Sequence, residues 1–213
     1  MQVFAELKEA IIKGDESRAY ALTKGMLDQR VHPQDILNQG LLAGIEVVGQ
    51  KFKVYEMYLP EVIMSATAMK SAMELLRPLL SRSDGAMLGK VVMATIQGDL
   101  HDIGKNLVSM MLLGSGFEVV DLGVDVQVSK IIQRAKEENA EIIGISALLT
   151  TNMVAMGPAL KMIRKDNQAA KVMVGGAPVT QEYARQIGAD GWAPDALQSI
   201  NVAKSLVKGQ PWS

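Results

Sequence analysis

The spacing of the apolar residues changes once along the chain, near residue 80, and that change limits the fold more than any other feature. From Lys90 onward, short apolar runs alternate with longer stretches of helical periodicity. The runs at 90–96, 117–121, 141–146, 171–175 and, more weakly, 189–192 read as strands; the stretches near 103–115, 126–138, 152–164, 180–187 and 195–208 read as helices. Strands that are apolar on both faces and separated by helices belong to a parallel sheet covered on each side, with right-handed crossovers.

Residues 1–79 show no strand pattern. Helical spacing over 3–12 stops near Gly14, and Asp15 stands where a cap should open a second helix reaching about Gln29. Pro33 suits the first turn of a third helix carrying Ile36, Leu37, Leu41, Leu42, Ile45, Val48 and Phe52. Pro60 opens a fourth, with Ile63, Met64, Ala68, Met69, Ala72, Leu75 and Leu76 on its apolar face. Four such helices make a small bundle. The polar, glycine-bearing stretch 80–89 is the natural joint, so the expected layout is a helical bundle over 1–82, a linker over 83–89 and an α/β domain over 90–213.

Composition removes several classes of function. A formal net charge of -1 with no basic block argues against nucleic acid as a partner. The absence of cysteine excludes disulfides, thiolate metal sites and a cysteine nucleophile. No apolar run approaches membrane-spanning length, and the amino terminus alternates charged and apolar groups unlike a signal peptide. No membrane partner and a cytoplasmic location are therefore expected.

The chemistry concentrates after the first strand, where the chain reads Gly98-Asp99-Leu100-His101-Asp102-Ile103-Gly104. Loops beyond the carboxyl ends of strands are the usual ligand sites of open α/β sheets. Two readings of His101 stand at this point: an imidazole that ties down its own turn, or a metal-binding or acid–base group. Asp99 lies two residues back, placed to accept a hydrogen bond from one ring nitrogen and so fix the tautomer. No second or third metal ligand accompanies it, and the other histidine, His32, lies in the helical half. A prosthetic group that brings its own metal fits one imidazole better than a bare ion does.

Asp102 is placed to cap the following helix, and Gly104 allows close backbone approach. Lys105 and Asn106 face either the ligand's polar rim or solvent. The third strand runs into Ser146-Ala147-Leu148-Leu149-Thr150, with Thr151 or Asn152 as a candidate helix cap. The fourth ends Gly175-Gly176-Ala177-Pro178, where paired glycines remove side chains from the path of something bulky. The pattern is neither Gly-x-Gly-x-x-Gly nor a Walker loop, which disfavours phosphate binding. The small residues at these strand ends suggest a slot for a long ligand tail.

The order Asp99-x-His101-x-x-Gly104, Ser146-x-Leu148, Gly175-Gly176 resembles the cobalamin-binding domain shared by methionine synthase and several mutases. The helical half narrows the match. Asn38-Gln39-Gly40-Leu41-Leu42-x-Gly44-Ile45-x-x-Val48-Gly49, followed by Phe52, Glu56, Leu59-Pro60-Glu61 and Met64, looks like the cap of small corrinoid methyl-carrier proteins. Those proteins serve the methylamine, methanol, betaine and methoxy-arene methyltransferase systems.

The resemblance implies a Rossmann-like (flavodoxin-like) five-stranded domain behind a four-helix cap. It implies a cobalamin or related corrinoid bound base-off, with His101 as lower axial ligand of cobalt and Asp99 bonded to it. By the same resemblance Ser146, Gly175 and Gly176 line the nucleotide-tail pocket and Leu148 is its apolar position. Gly98, Asp102, Ile103, Gly104, Thr150 and Ala177 are carried over as further cofactor contacts. Trp192 stands in the closing segment 188–196 where related chains often have tyrosine, and Met64 and Met69 are the cap residues expected over the ring. The implied activity is a methyl shuttle. Cobalt(I) is loaded by a substrate-specific methyltransferase and methyl-cobalt(III) is unloaded by a second one acting on tetrahydrofolate or a thiol such as coenzyme M. A reductive activator protein is the third implied partner, and the chain alone completes no turnover. The His101–Asp99 pair is expected to tune both steps, and the 80–89 joint to act as a hinge. The alternative from a different class is a cobalamin-dependent sensor.

Overall fold

A computed structural model describes residues 2–80, 88–167, 169–210 and 212 of the 213-residue chain. The chain divides into two compact units, one holding the amino-terminal helices and the other a parallel sheet with its flanking helices. Most of the expected linker, residues 83–87, lies outside the described residues.

The helical unit runs α1 (Gln2–Lys13), α2 (Glu16–Asp28), a single turn α3 (Pro33–Asp35), a π-helical segment (Ile36–Leu42), α4 (Ala43–Lys53) and α5 (Leu59–Leu76), closed by a 3-10 turn (Arg77–Leu79). Asp15 caps α2 by accepting the Arg18 N–H at 3.0 Å. His32 caps α3, its Nδ1 accepting the Gln34 N–H at 3.3 Å, which accounts for the second histidine of the chain. The third helix read from the sequence is thus present, but its first half is wound as a seven-residue π segment. Wider winding of this kind is rare and short in proteins. Here it packs against α1 through Gly40, where a Cβ would come within 2.5 Å of the Leu7 side chain; α4 continues the contact through Gly44, where a Cβ would come within 2.8 Å of Ile11. Leu7, Ile11, Ile36, Leu37, Leu41, Met69, Met73 and Leu76 form the buried interior.

The second unit holds β1 (Gly89–Thr95), β2 (Phe117–Asp121), β3 (Ile142–Ser146), β4 (Lys171–Gly175) and β5 (Gly191–Trp192), all parallel, in the order β2-β1-β3-β4-β5. The helices are α6 (Ile103–Gly114), α7 (Val128–Glu137), α8 (Thr150–Met153), α9 (Met156–Asp166), α10 (Gln181–Gln186) and α11 (Ala196–Val207). Alternate strand residues go to opposite faces. Val92, Ala94, Ile143, Ile145, Val172 and Val174 meet Ile131 of α7 and Leu160 and Ile163 of α9 on one side. Val91, Met93, Ile142 and Met173 meet Leu112 of α6 and Ala203 and Leu206 of α11 on the other. Burial on both faces explains why the strands read as continuous apolar runs.

One expected helix is broken in two. α8 ends at Met153 and α9 begins at Met156, because Pro158 lacks an N–H and its ring crowds the carbonyl four residues back, at Val154. Neither Thr151 nor Asn152 caps a helix; Leu149 occupies the cap position of α8 and both lie inside its single turn. Among the described residues, no helix is long and apolar enough to cross a membrane.

Candidate functional site

Strand order reverses between β1 and β3, and the register aligns their ends: Thr95 pairs with Ser146, and Ser146 with Gly175. In a sheet of this order the crevice beyond that reversal is the ligand position. The three sequence motifs therefore arrive on one edge by strand pairing.

Asp99 anchors the site. Its buried side chain accepts four hydrogen bonds. Oδ1 takes the backbone N–H of His101 at 3.0 Å and the His101 ring Nδ1 at 2.8 Å; Oδ2 takes the N–H groups of Leu148 at 2.6 Å and Leu149 at 3.1 Å. Burial alone would raise the carboxyl pKa. The donors, led by the backbone N–H groups of His101 and Leu148, outweigh it and hold the pKa well below the usual carboxylate range. An ionised carboxylate only accepts, so the proton sits on His101 Nδ1 and the lone pair on Nε2. The His101 side chain is 51% exposed, so Nε2 is available to a ligand. Thr95 Oγ1 donates to the His101 carbonyl at 3.0 Å and steadies the same residue from the end of β1.

Several exposed aliphatic side chains stand in the loops that carry this imidazole and hold its Asp99 partner. Leu100 is 72% exposed, Ile103 67%, Leu148 42% and Leu149 43%. Exposed aliphatic side chains beside a lone imidazole suit a broad, mostly apolar ring better than a hydrated ion. Sequence reasoning named Ile103 and Leu148 but missed Leu100, Leu149 and Thr95. Leu100 sits inside the motif itself and could have been found there.

The two glycines after β4 have different reasons. Gly175 faces open space, with no heavy atom within 4 Å of an added Cβ. Gly176 has φ +118°, and a Cβ there would lie 1.8 Å from the Ala147 carbonyl oxygen. The expectation that both glycines clear a path is thus corrected for Gly176, whose small size lets the β3 and β4 loops touch. Gly104 is also open. Gly98, Thr150 and Ala177 are exposed, and Ser146 is half-buried at the end of β3.

Asp102 stands directly before α6, where the sequence places a cap: its carbonyl takes the Asn106 N–H at 2.7 Å and its carboxylate accepts the Asn106 Nδ2–H at 2.9 Å. Lys105 faces neither a ligand rim nor solvent. It is buried, and its ammonium donates to Asn106 Oδ1 at 2.6 Å and to the Asp121 carboxylate at the end of β2. The Trp192 indole N–H donates to the Val179 carbonyl at 2.8 Å, and its ring lies 6.5 Å from that of Trp212. In the helical unit Met69 is buried and Met64 is 54% exposed.

Among the described residues no group of three or more His, Cys, Asp or Glu side chains could hold a metal ion. One accessible imidazole with its other nitrogen bonded to a buried carboxylate is a donor set for a metal that carries its other ligands with it. The family model for the B12 binding domain matches residues 89–201, and a second model of the same description matches residues 3–77.

The chain belongs to the B12-binding corrinoid proteins. This corrinoid protein is 41% identical over 212 residues to a corrinoid protein of Desulfitobacterium hafniense (strain Y51), covering 97% of this chain and 98% of that one. It is 40% identical over 212 residues to the dimethylamine corrinoid protein of Methanosarcina barkeri, with coverage of 97% and 98%. Its structure is similar to a chain of the methanol:cobalamin methyltransferase complex of Methanosarcina barkeri, with a TM-score of 0.86 and 28% identity over 99% of this chain and 81% of that chain.

Proposed function

We propose that this corrinoid protein is a methyl carrier whose cofactor is held base-off by His101 and serves two methyltransferases in turn. The observation that carries the reading is the Asp99–His101 bond: it fixes the proton on Nδ1 and leaves the exposed Nε2 as the donor. When bound, the corrinoid supplies a reduced cobalt centre that is strongly nucleophilic and both accepts and releases a methyl group.

The residues do the rest. Asp99, kept ionised by its four donors, holds the His101 tautomer and fixes its ring plane. Leu100, Ile103, Leu148 and Leu149 would present an apolar surface beside His101 and shield the bond made by its Nε2 from water. Gly175 leaves space at the β4 end for the nucleotide tail, with Ser146 beside it in the register. Met64 and Trp192 are the remaining candidate cofactor contacts; Met69, expected over the ring, is instead fully buried in the interior of the helical unit. The helical cap over 1–82, the linker over 83–89 and the α/β domain over 90–213 form the working parts.

The partners are a substrate-specific methyltransferase, a second methyltransferase acting on tetrahydrofolate or a thiol, and a reductive activator. Relatives named for dimethylamine and for a methanol:cobalamin complex support a donor of that class. The test is reconstitution with hydroxocobalamin, reduction, and incubation with methylamines or methanol and the matching methyltransferase. Transfer of label from donor to cofactor supports the carrier. Stable cofactor binding without transfer from any donor–enzyme pair overturns it in favour of a sensor.

A further inference from the structure

Beyond the β1 and β3 loops, a third segment holds the imidazole loop. We propose that Asp125 is a positioning residue that fixes the Asp99–His101 pair from the β2 side. The assignment rests on the reading of His101 as the cobalt ligand.

After β2 ends at Asp121, the chain stays beside β1. The Leu122 N–H donates to the Met93 carbonyl at 2.8 Å, the Thr95 N–H to the Gly123 carbonyl at 3.0 Å and the Val126 N–H to the Thr95 carbonyl at 3.0 Å. This parallel track ends against the imidazole loop itself. The Asp125 carboxylate accepts the Gly98 N–H at 2.7 Å, and the Asp125 N–H donates to the Asp99 carbonyl at 3.0 Å. Asp99 is therefore gripped twice. Its carboxylate is held by the loop after β3, and its main chain by Asp125.

The backbone at Asp125 is left-handed, with φ 52°. Glycine would adopt that conformation without a Cβ penalty, and aspartate tolerates it. What aspartate adds over glycine is the carboxylate on Gly98. His101 follows Asp99 by two residues, so a shift of the Gly98–Asp99 peptide displaces the ring that the carboxylate aims.

Two variants separate the carboxylate from the turn. Asp125→Gly keeps the left-handed backbone and removes the acceptor; Asp125→Asn keeps both the backbone and one acceptor oxygen. In cofactor-free protein, amide exchange at Gly98 is expected to rise on the order of tenfold in Asp125→Gly and to stay near wild type in Asp125→Asn. In cobalamin-loaded protein, the population with a histidine nitrogen on cobalt, read from the visible and electron paramagnetic resonance spectra, falls in Asp125→Gly and is restored in Asp125→Asn. His101→Ala is the control: if it leaves those spectra unchanged, the ligand assignment fails. The Gly98 exchange rate still decides whether Asp125 holds the loop. Wild-type behaviour of Asp125→Gly in exchange, or in the spectra while His101→Ala alters them, overturns the proposal, as does an Asp125→Asn variant as impaired as Asp125→Gly.

Discussion

The backbone N–H of Leu148 donates to Asp99 Oδ2 across 2.6 Å and joins the loop after β3 to the loop after β1 at the point where strand order reverses. Asp99→Asn keeps the shape but offers one acceptor oxygen, so that with the oxygen on Leu148 and Leu149 the amide N–H faces the His101 ring, which must reverse its tautomer to accept it, and the His101 backbone N–H, which can only donate. A buried donor left without an acceptor costs free energy, here roughly 1–3 kcal/mol. Urea unfolding of the cofactor-free protein measures it directly. A loss below half a kcal/mol contradicts the bonding described at Asp99.

Acid has a defined effect on the same group. Its folded pKa lies below the ordinary value of 3.8, so it contributes stability above the unfolded pKa that fades as pH falls toward the folded one. The stability gap between wild type and Asp99→Asn is therefore full at neutral pH and narrows below about pH 4. A gap that widens in acid contradicts the sign.

Gly175 and Gly176, adjacent in sequence, should separate in experiment. Gly176→Ala forces a Cβ onto the Ala147 carbonyl in a left-handed backbone and should cost roughly 3 kcal/mol or more, or prevent folding. Gly175→Ala meets nothing and should leave stability within about 0.5 kcal/mol. Its effect should fall on corrinoid affinity, measured by titration. Equal destabilisation by the two substitutions contradicts the geometry.

Lys105 and Asp121 give an asymmetric pair, since the lysine side chain is 1% exposed and the aspartate 35%. Asp121→Ala strands a buried ammonium and also frees the Gly123 N–H that bonds Asp121 Oδ1, a cost of roughly 3–5 kcal/mol. Lys105→Met leaves a carboxylate that water reaches and costs roughly 1–2 kcal/mol. Denaturation midpoints should rank wild type, then Lys105→Met, then Asp121→Ala.

The α/β unit was legible in outline because burial on both faces writes each strand as an apolar run. Only β5 was faint, since Gly191 and Trp192 are all that pair there. The break between α8 and α9 was also written in the sequence, at Pro158, but helical periodicity continues across it and masks the signal. The π segment over Ile36–Leu42 was hidden for a related reason: its apolar spacing reads as an ordinary helix. At the site, the Asp99–His101 contact could be read because two residues of spacing put them together. The Leu148 and Leu149 donors lie 49 and 50 residues away and meet Asp99 only through the β1–β3 register. Lys105 was misplaced because a lysine beside a motif looks solvent-facing until its partner, Asp121, is brought in by β2.

Electron paramagnetic resonance of the reduced cobalt(II) form tests the central assignment most directly. Protein carrying nitrogen-15 only in histidine, loaded with cobalamin, should change the axial-nitrogen splitting from the triplet of nitrogen-14 to the doublet of nitrogen-15, and His101→Ala should abolish that change. A triplet that persists in the labelled protein would mean that the nucleotide base, not His101, sits on the metal.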